Sequence, residues 1–180
     1  SGTHCFIIHA RIAVLDGLSP KQNREIPPLN YERVFNIKEQ YPDLEIVING
    51  GIRTLDQAKQ LLGKVDGVMI GREAYQNPGM LAQVDQEIFN SNKSIISQEE
   101  VLEQFIDYAR EEMISGTALK HMSRHILGLF QGQPGAKQFR RYLSENAHKD
   151  TSGIEILEQA GSFIRKNSTT TDSISQEAPC

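Results

Sequence analysis

The sequence predicts an α/β chain whose first half is built from βα units and whose second half is all helix. Three observations carry this reading. Short apolar runs at residues 5–10, 44–48 and 67–70 alternate with helical stretches, the pattern of parallel βα units. The runs are nearly continuous, as strands are when helices cover both faces of a sheet or a barrel closes. Beyond Asn77-Pro78-Gly79 the strand pattern stops and helical periodicity takes over.

The elements follow in order. Residues 5–10 form the first strand. A long polar connection runs from Arg11 to about Asn30, where Gly17, Pro20 and Pro27-Pro28 break any helix. Residues 31–40 form a helix with Val34, Phe35 and Ile37 on its apolar face, stopped by Pro42. Residues 44–48 are the second strand, ending at Asn49-Gly50-Gly51. Thr54 and Gln57 match a capping box that opens a helix to Leu62 and Gly63. Residues 67–70 are the third strand, ending at Gly71-Arg72. Helices are then predicted at 80–89, 97–114, 118–130, 136–147 and 154–164, with Ser97 and Glu100 as a second capping box. The polar residues 166–180 read as a disordered tail.

Composition bounds the function. The chain has 180 residues, 38% of them hydrophobic, which suits a soluble globular protein. No apolar run reaches membrane-span length, so no membrane partner is expected. No basic segment followed by an apolar stretch opens the chain, which begins with Ser1 rather than Met. The two cysteines, Cys5 and Cys180, form no C-x-x-C, so no metal site or disulfide framework is expected, and a cytoplasmic, reducing compartment fits. Cys5 lies in an apolar run and reads as a small core residue; Cys180 reads as a free thiol. The net charge is −4, yet Lys120, Arg124, Lys137, Arg140, Arg141 and Lys149 cluster in a stretch holding the single acid Glu145. Such a stretch is a site for a polyanion or a solvated helix face, and the count alone does not separate the two.

Three signals bear on chemistry. Asn49-Gly50-Gly51 follows a strand and precedes a capped helix; paired glycines let backbone approach an anion, and the helix N-terminus offers free N–H groups. Gly71-Arg72 follows the next strand, and a guanidinium there can pair with phosphate. The two signals stand 22 residues apart on consecutive strands, as do the phosphate loops after the last two strands of (β/α)8 barrels. Sugar phosphate, flavin mononucleotide and nucleotide all fit this spacing. His9-Ala10-Arg11 ends the first strand, the end that faces the site in a barrel. The following loop offers Lys21, Asn23 and Arg24 for phosphate contacts.

These segments, together with Gly17-Leu18-Ser19-Pro20-Lys21-Gln22-Asn23-Arg24-Glu25-Ile26-Pro27-Pro28-Leu29 and residues 66–78, resemble the tRNA-dihydrouridine synthases. The resemblance is strongest to subfamily A, acting on uridines 20 and 20a of the D-loop, and extends to about Gly161. It implies an FMN-binding (β/α)8 TIM barrel, of which only the C-terminal three βα units are present in residues 1–78. A small all-α, tRNA-binding helical domain follows in 79–165. His9 would contact FMN; Asn49, Gly50, Gly51, Gly71 and Arg72 would hold its phosphate. Lys21, Arg24, Lys137 and Arg140 match tRNA contacts. NADPH would reduce the flavin, the flavin would reduce the uracil C5–C6 bond, and a cysteine would act as acid on a base drawn from its stack.

The family places its catalytic cysteine and flavin-ring contacts in the first five strands, and neither Cys5 nor Cys180 matches that cysteine. The chain is therefore expected to lack a catalytic residue and to be inactive alone. Three strands cannot close a barrel that takes about 250 residues, so the start without Met reads as a cut edge, with an N-terminal barrel half expected in the full protein. Two other readings stand beside this one: a non-catalytic RNA-binding module, and another FMN- or phosphate-binding barrel oxidoreductase.

Overall fold

A computed structural model describes residues 2–149 and 151–174. The chain separates into two compact units, one of residues 1–74 with 84–91 and the other of 75–83 with 92 onward.

The first unit holds a three-stranded parallel sheet of order β1-β2-β3, with β1 at Cys5–His9, β2 at Glu45–Asn49 and β3 at Gly67–Met69. Helix α1 (Pro20–Asn23) lies in the first connection and α2 (Tyr31–Gln40) precedes β2. Helix α3 (Leu55–Leu62) follows β2 and α4 (Arg72–Gln76) follows β3. The pleat sorts the side chains. Ile46 and Ile48 of β2 are completely buried and pack with Val34, Phe35, Ala58 and Leu61 from α2 and α3. The register places Ile7 beside Val47, and His9, Asn49 and Met69 in one row on the opposite face. That face is open: Ile7 is 60% exposed and Met69 41%. Cys5 is exposed as well, correcting its reading as a core residue. It sits on an edge strand and on the uncovered face, so apolar neighbours in sequence do not enclose it.

A carboxylate pins β2 to β3. Asp66, just before β3, accepts from the Ile46 amide at 2.8 Å while its own amide donates to the Ile46 carbonyl at 3.0 Å. Lys38 on α2 meets the same carboxylate at 2.8 Å and also donates to the Pro42 and Leu44 carbonyls. The Ile46 amide, then Lys38, holds the Asp66 pKa below its usual value.

The first connection is not the plain polar loop expected. Ser19 caps α1 in a full capping box with Gln22, and Pro20 occupies the first turn, where its missing N–H is no loss. The Asn23 side chain accepts from the Val14 amide and donates to the Val14 carbonyl, both at 2.8 Å. Asn23 is thereby a loop staple rather than a free phosphate contact.

The second unit is helical. A 3-10 turn (Pro78–Gln83) stands where one helix over 80–89 is predicted; the following short helix α5 (Val84–Glu87) belongs to the first unit, where Glu87 meets Lys59 of α3 at 2.7 Å. Helix α6 (Gln98–Ile114) opens with the predicted Ser97–Glu100 capping box. Helix α7 (Leu119–Ser123) is shorter than predicted, and residues 124–131 continue as tight turns such as Leu129 N–H to Ile126 O at 2.9 Å. The apolar spacing survives this tighter winding: Met122, Ile126, Leu129 and Phe130 are all buried. Helix α8 (Ala136–Asn146) buries Phe139 and Leu143, with Phe139 edge-on to Phe130 at 4.9 Å. Helix α9 (Glu155–Ile174) buries Leu157, Ala160 and Ile164 in the same core. Its backbone stays helical past Lys166 to Ile174, where the composition predicts a disordered tail; no Gly or Pro interrupts it there. Cys180 lies outside the described residues.

Two outcomes test this account. Phe139→Ala leaves a cavity in the helical core and should lower unfolding free energy by about 3–5 kcal/mol, read by denaturant titration. For Asp66, the folded pKa lies below the ordinary 3.8, so its stabilisation is in place above that pH and is lost as pH falls through the depressed value. Asp66→Asn should flatten the acid limb of the stability profile below pH 3.8, while an unaltered limb would remove the pin from the account.

Candidate functional site

The C-terminal ends of β1, β2 and β3 lie side by side, because parallel strands in register end at one edge of the sheet. His9 pairs with Asn49, and Asn49 with Met69. The Ala10 amide donates to the Asn49 carbonyl at 2.8 Å, extending the ladder one residue beyond β1. The loops after β2 and β3, Gly50-Gly51 and Gly71-Arg72, leave from this edge.

Gly50 and Gly51 have φ of 123° and 71°, a region L side chains rarely adopt. A Cβ on Gly51 would meet Leu29 Cδ1 at 2.5 Å, and one on Gly50 would meet Leu29 Cδ2 at 3.1 Å and His9 Cε1 at 3.4 Å. The loop thus lies against Leu29 with the His9 ring beside it. Tyr31 fastens it from below: its hydroxyl donates to the Gly50 carbonyl at 2.7 Å, and burial raises its pKa. Neither Leu29 nor Tyr31 is singled out by the sequence motifs; the Pro27-Pro28-Leu29 run ahead of α2 is the signal that could have found them. At Gly71 nothing lies within 4 Å of a Cβ position, which leaves space beside Arg72.

Positive charge gathers here. The His9 pKa is lowered by burial first, then by Arg11, Arg72 and Arg24. Of the expected site residues, Gly50 lies beside the His9 ring and the charges of Arg72 and Arg24 act on that ring; Lys21 is exposed on α1. Arg11 lies beneath, where a terminal guanidinium nitrogen donates to the Pro27 carbonyl, so it anchors the loop that carries Lys21 and Arg24. Arg72 is paired with Glu25 at 2.9 Å, a partner not expected from the sequence. A phosphate gripped by Arg72 shares or displaces that carboxylate.

In the helical unit Lys137 and Arg140 are exposed on α8, whose Phe139 and Leu143 are buried. Arg141 pairs with Glu145 at 2.8 Å. At the far end of β1 from His9, the exposed Cys5 thiol has its pKa raised by partial desolvation first and then by the Glu45 carboxylate, the reverse of activation.

An anion at the Gly50–Gly51–Arg72 edge would offset the guanidinium field on His9. Adding inorganic phosphate should raise the His9 pKa from below 6.5, followed by NMR titration of the imidazole protons. A pKa that phosphate does not move would show that anions do not bind beside His9.

Comparisons with known proteins give the chain's family. The family model described as "Dihydrouridine synthase (Dus)" matches residues 1–165. The tRNA-dihydrouridine(20/20a) synthase of Yersinia pestis is 55% identical over 159 residues, covering 88% of this chain and 46% of the relative. That of Shewanella oneidensis is 58% identical over 155 residues, covering 86% and 46%. That of Escherichia coli K12 is 57% identical over 155 residues, covering 86% and 45%. The chain spans about half the length of the curated relatives it matches. With residues 1–165 matched and more than half the aligned positions identical to such relatives, the chain belongs to the dihydrouridine synthase family.

Proposed function

We propose that this chain forms part of an FMN-dependent enzyme that reduces uridines 20 and 20a in the tRNA D-loop. In this reading β1, β2 and β3 are the sixth to eighth strands of a (β/α)8 barrel, and the helical unit grips tRNA. The observation that carries it is the convergence of the Gly50-Gly51 turn, Arg72 and His9 at one sheet edge, in a chain so close to tRNA-dihydrouridine(20/20a) synthases. A tRNA substrate implies a cytoplasmic setting.

The residues fit the phosphate of FMN. Gly50 and Gly51 keep the loop free of side chains, the space at Gly71 admits a phosphoryl group, and Arg72 supplies the charge. FMN, when bound, supplies the hydride for the uracil C5–C6 bond, with NADPH as the electron source. Asn49, Gly50, Gly51, Gly71 and Arg72 would hold its phosphate, and His9, whose ring lies beside Gly50, would contact the cofactor through a ring nitrogen. Lys21, Arg24, Lys137 and Arg140 bind the tRNA backbone, which makes affinity strongly salt-dependent.

The proton donor is not supplied by Cys5. It stands at the wrong end of β1 with a raised pKa. This chain alone therefore binds tRNA without reducing it, and uridine reduction by it with FMN and NADPH would overturn this assignment. The reading of a non-catalytic RNA-binding module rests on the separate core of the helical unit and shares the same RNA contacts.

The double variant Lys137→Glu, Arg140→Glu should weaken tRNA binding by about tenfold or more and lower the salt slope by about one per lost contact. Filter binding at several salt concentrations reads both. Unchanged affinity and slope would return the basic stretch to a solvated helix face.

A further inference from the structure

The helical unit contains a cavity to which neither the sequence motifs nor the strand-end edge assigns a ligand. A cavity of about 290 Å³ opens on its surface, lined among others by Tyr75, Gln76, Arg124, His125, Gln131 and Arg140. Its lining holds no carboxylate and brings two guanidiniums to one concavity.

The aromatic wall is fixed in place. Tyr75 and His125 stand nearly perpendicular, at 81° and 5.9 Å between centroids. Arg124 Nε donates to His125 Nε2 at 3.2 Å. That nitrogen accepts, so Nδ1 carries the proton and donates to the Tyr75 oxygen, 3.0 Å away. The Tyr75 hydroxyl proton is left free to donate outward. The ring is 56% exposed although its edge is held on one side, so an aromatic surface is kept rigid yet open to solvent. The floor is equally fixed. A Cβ at Gly128 would collide with the Gln76 backbone carbonyl, so only glycine lets these two segments close beneath the cavity.

We propose that this cavity takes one unstacked nucleotide of an RNA single strand. The base lies on the Tyr75 ring, Gln76 and Gln131 meet its polar edge, and Arg124 and Arg140 take the adjoining phosphates. Each part answers one component of a nucleotide: an aromatic plane for the base, amides for its edge, guanidiniums for phosphate. An acidic peptide would use the two arginines but leave the aromatic wall and the amides idle. Duplex RNA presents no free base to a cavity of this depth. The proposal rests on the tRNA reading above and adds a position at which the helical unit senses a splayed base rather than backbone alone.

The experiment uses the whole chain, an unmodified tRNA and a single-stranded oligoribonucleotide carrying 2-aminopurine. Wild type should bind both and quench the 2-aminopurine fluorescence through stacking. Tyr75→Leu should weaken oligonucleotide binding about tenfold and abolish quenching even at saturating protein. Tyr75→Phe keeps the ring and should retain both affinity and quenching. It also serves as the control for folding, together with an unchanged circular dichroism spectrum for the leucine variant. Lys137→Glu should weaken binding of all RNAs alike and leave quenching at saturation intact. Quenching and affinity preserved in Tyr75→Leu would overturn the base site while leaving the tRNA reading standing. Absence of RNA binding by the wild-type chain would overturn both.

Discussion

One carboxylate aligns the edge that carries the two glycine loops. Asp66 takes the Ile46 amide, returns its own amide to the Ile46 carbonyl and draws in Lys38 from α2. Two adjacent strands and a helix are thereby locked at the end where β2 and β3 begin. Each residue of a strand advances about 3.3 Å, so a slip of one residue there would carry Gly71 out of line with Gly51 and turn the β3 side chains to the other face. The burial of Ile46 and Ile48 supplies the bulk of the attraction between sheet and helices, but it is not directional. The hydrogen-bonded carboxylate selects which pairing that burial adopts.

The edge where the strands finish is built from opposing demands. Burial and three arginines disfavour charge on His9, while Glu25 partly satisfies Arg72. The ion pair is roughly half exposed on both sides, so it is a weak restraint that an incoming phosphate can exchange for. The glycine loop has no such freedom, since Tyr31 and Leu29 hold it from below. A rigid backbone cradle is thus combined with one adjustable cation.

Local signals were legible where the physics is local. The Ser97–Glu100 capping box, the Thr54 cap and the helix at Tyr31–Gln40 all follow from neighbouring residues. Exposure of Cys5 and Ile7 was not legible, because apolar composition says nothing about which face of a strand finds a partner. Asn23 looked like a free polar residue, yet its amide closes a turn nine residues back. Gly128, just beyond α7, lies against a backbone carbonyl more than fifty positions earlier, which no window along the chain could reveal. The periodicity there was read correctly and the hydrogen-bond pattern was not, since 3.0 and 3.6 residues per turn bury similar positions over a short run.

The common direction of the three strands also divides the unit into two territories. Asp66, Ile46 and Lys38 gather where β2 and β3 start, whereas His9, Asn49 and the two glycine loops gather where the strands finish. Strand pairing and the proposed anion site therefore fall on separate sets of residues, a strand's length apart. It is the same division that lets βα barrels vary the finishing end of their strands for new chemistry while the starting end keeps the fold.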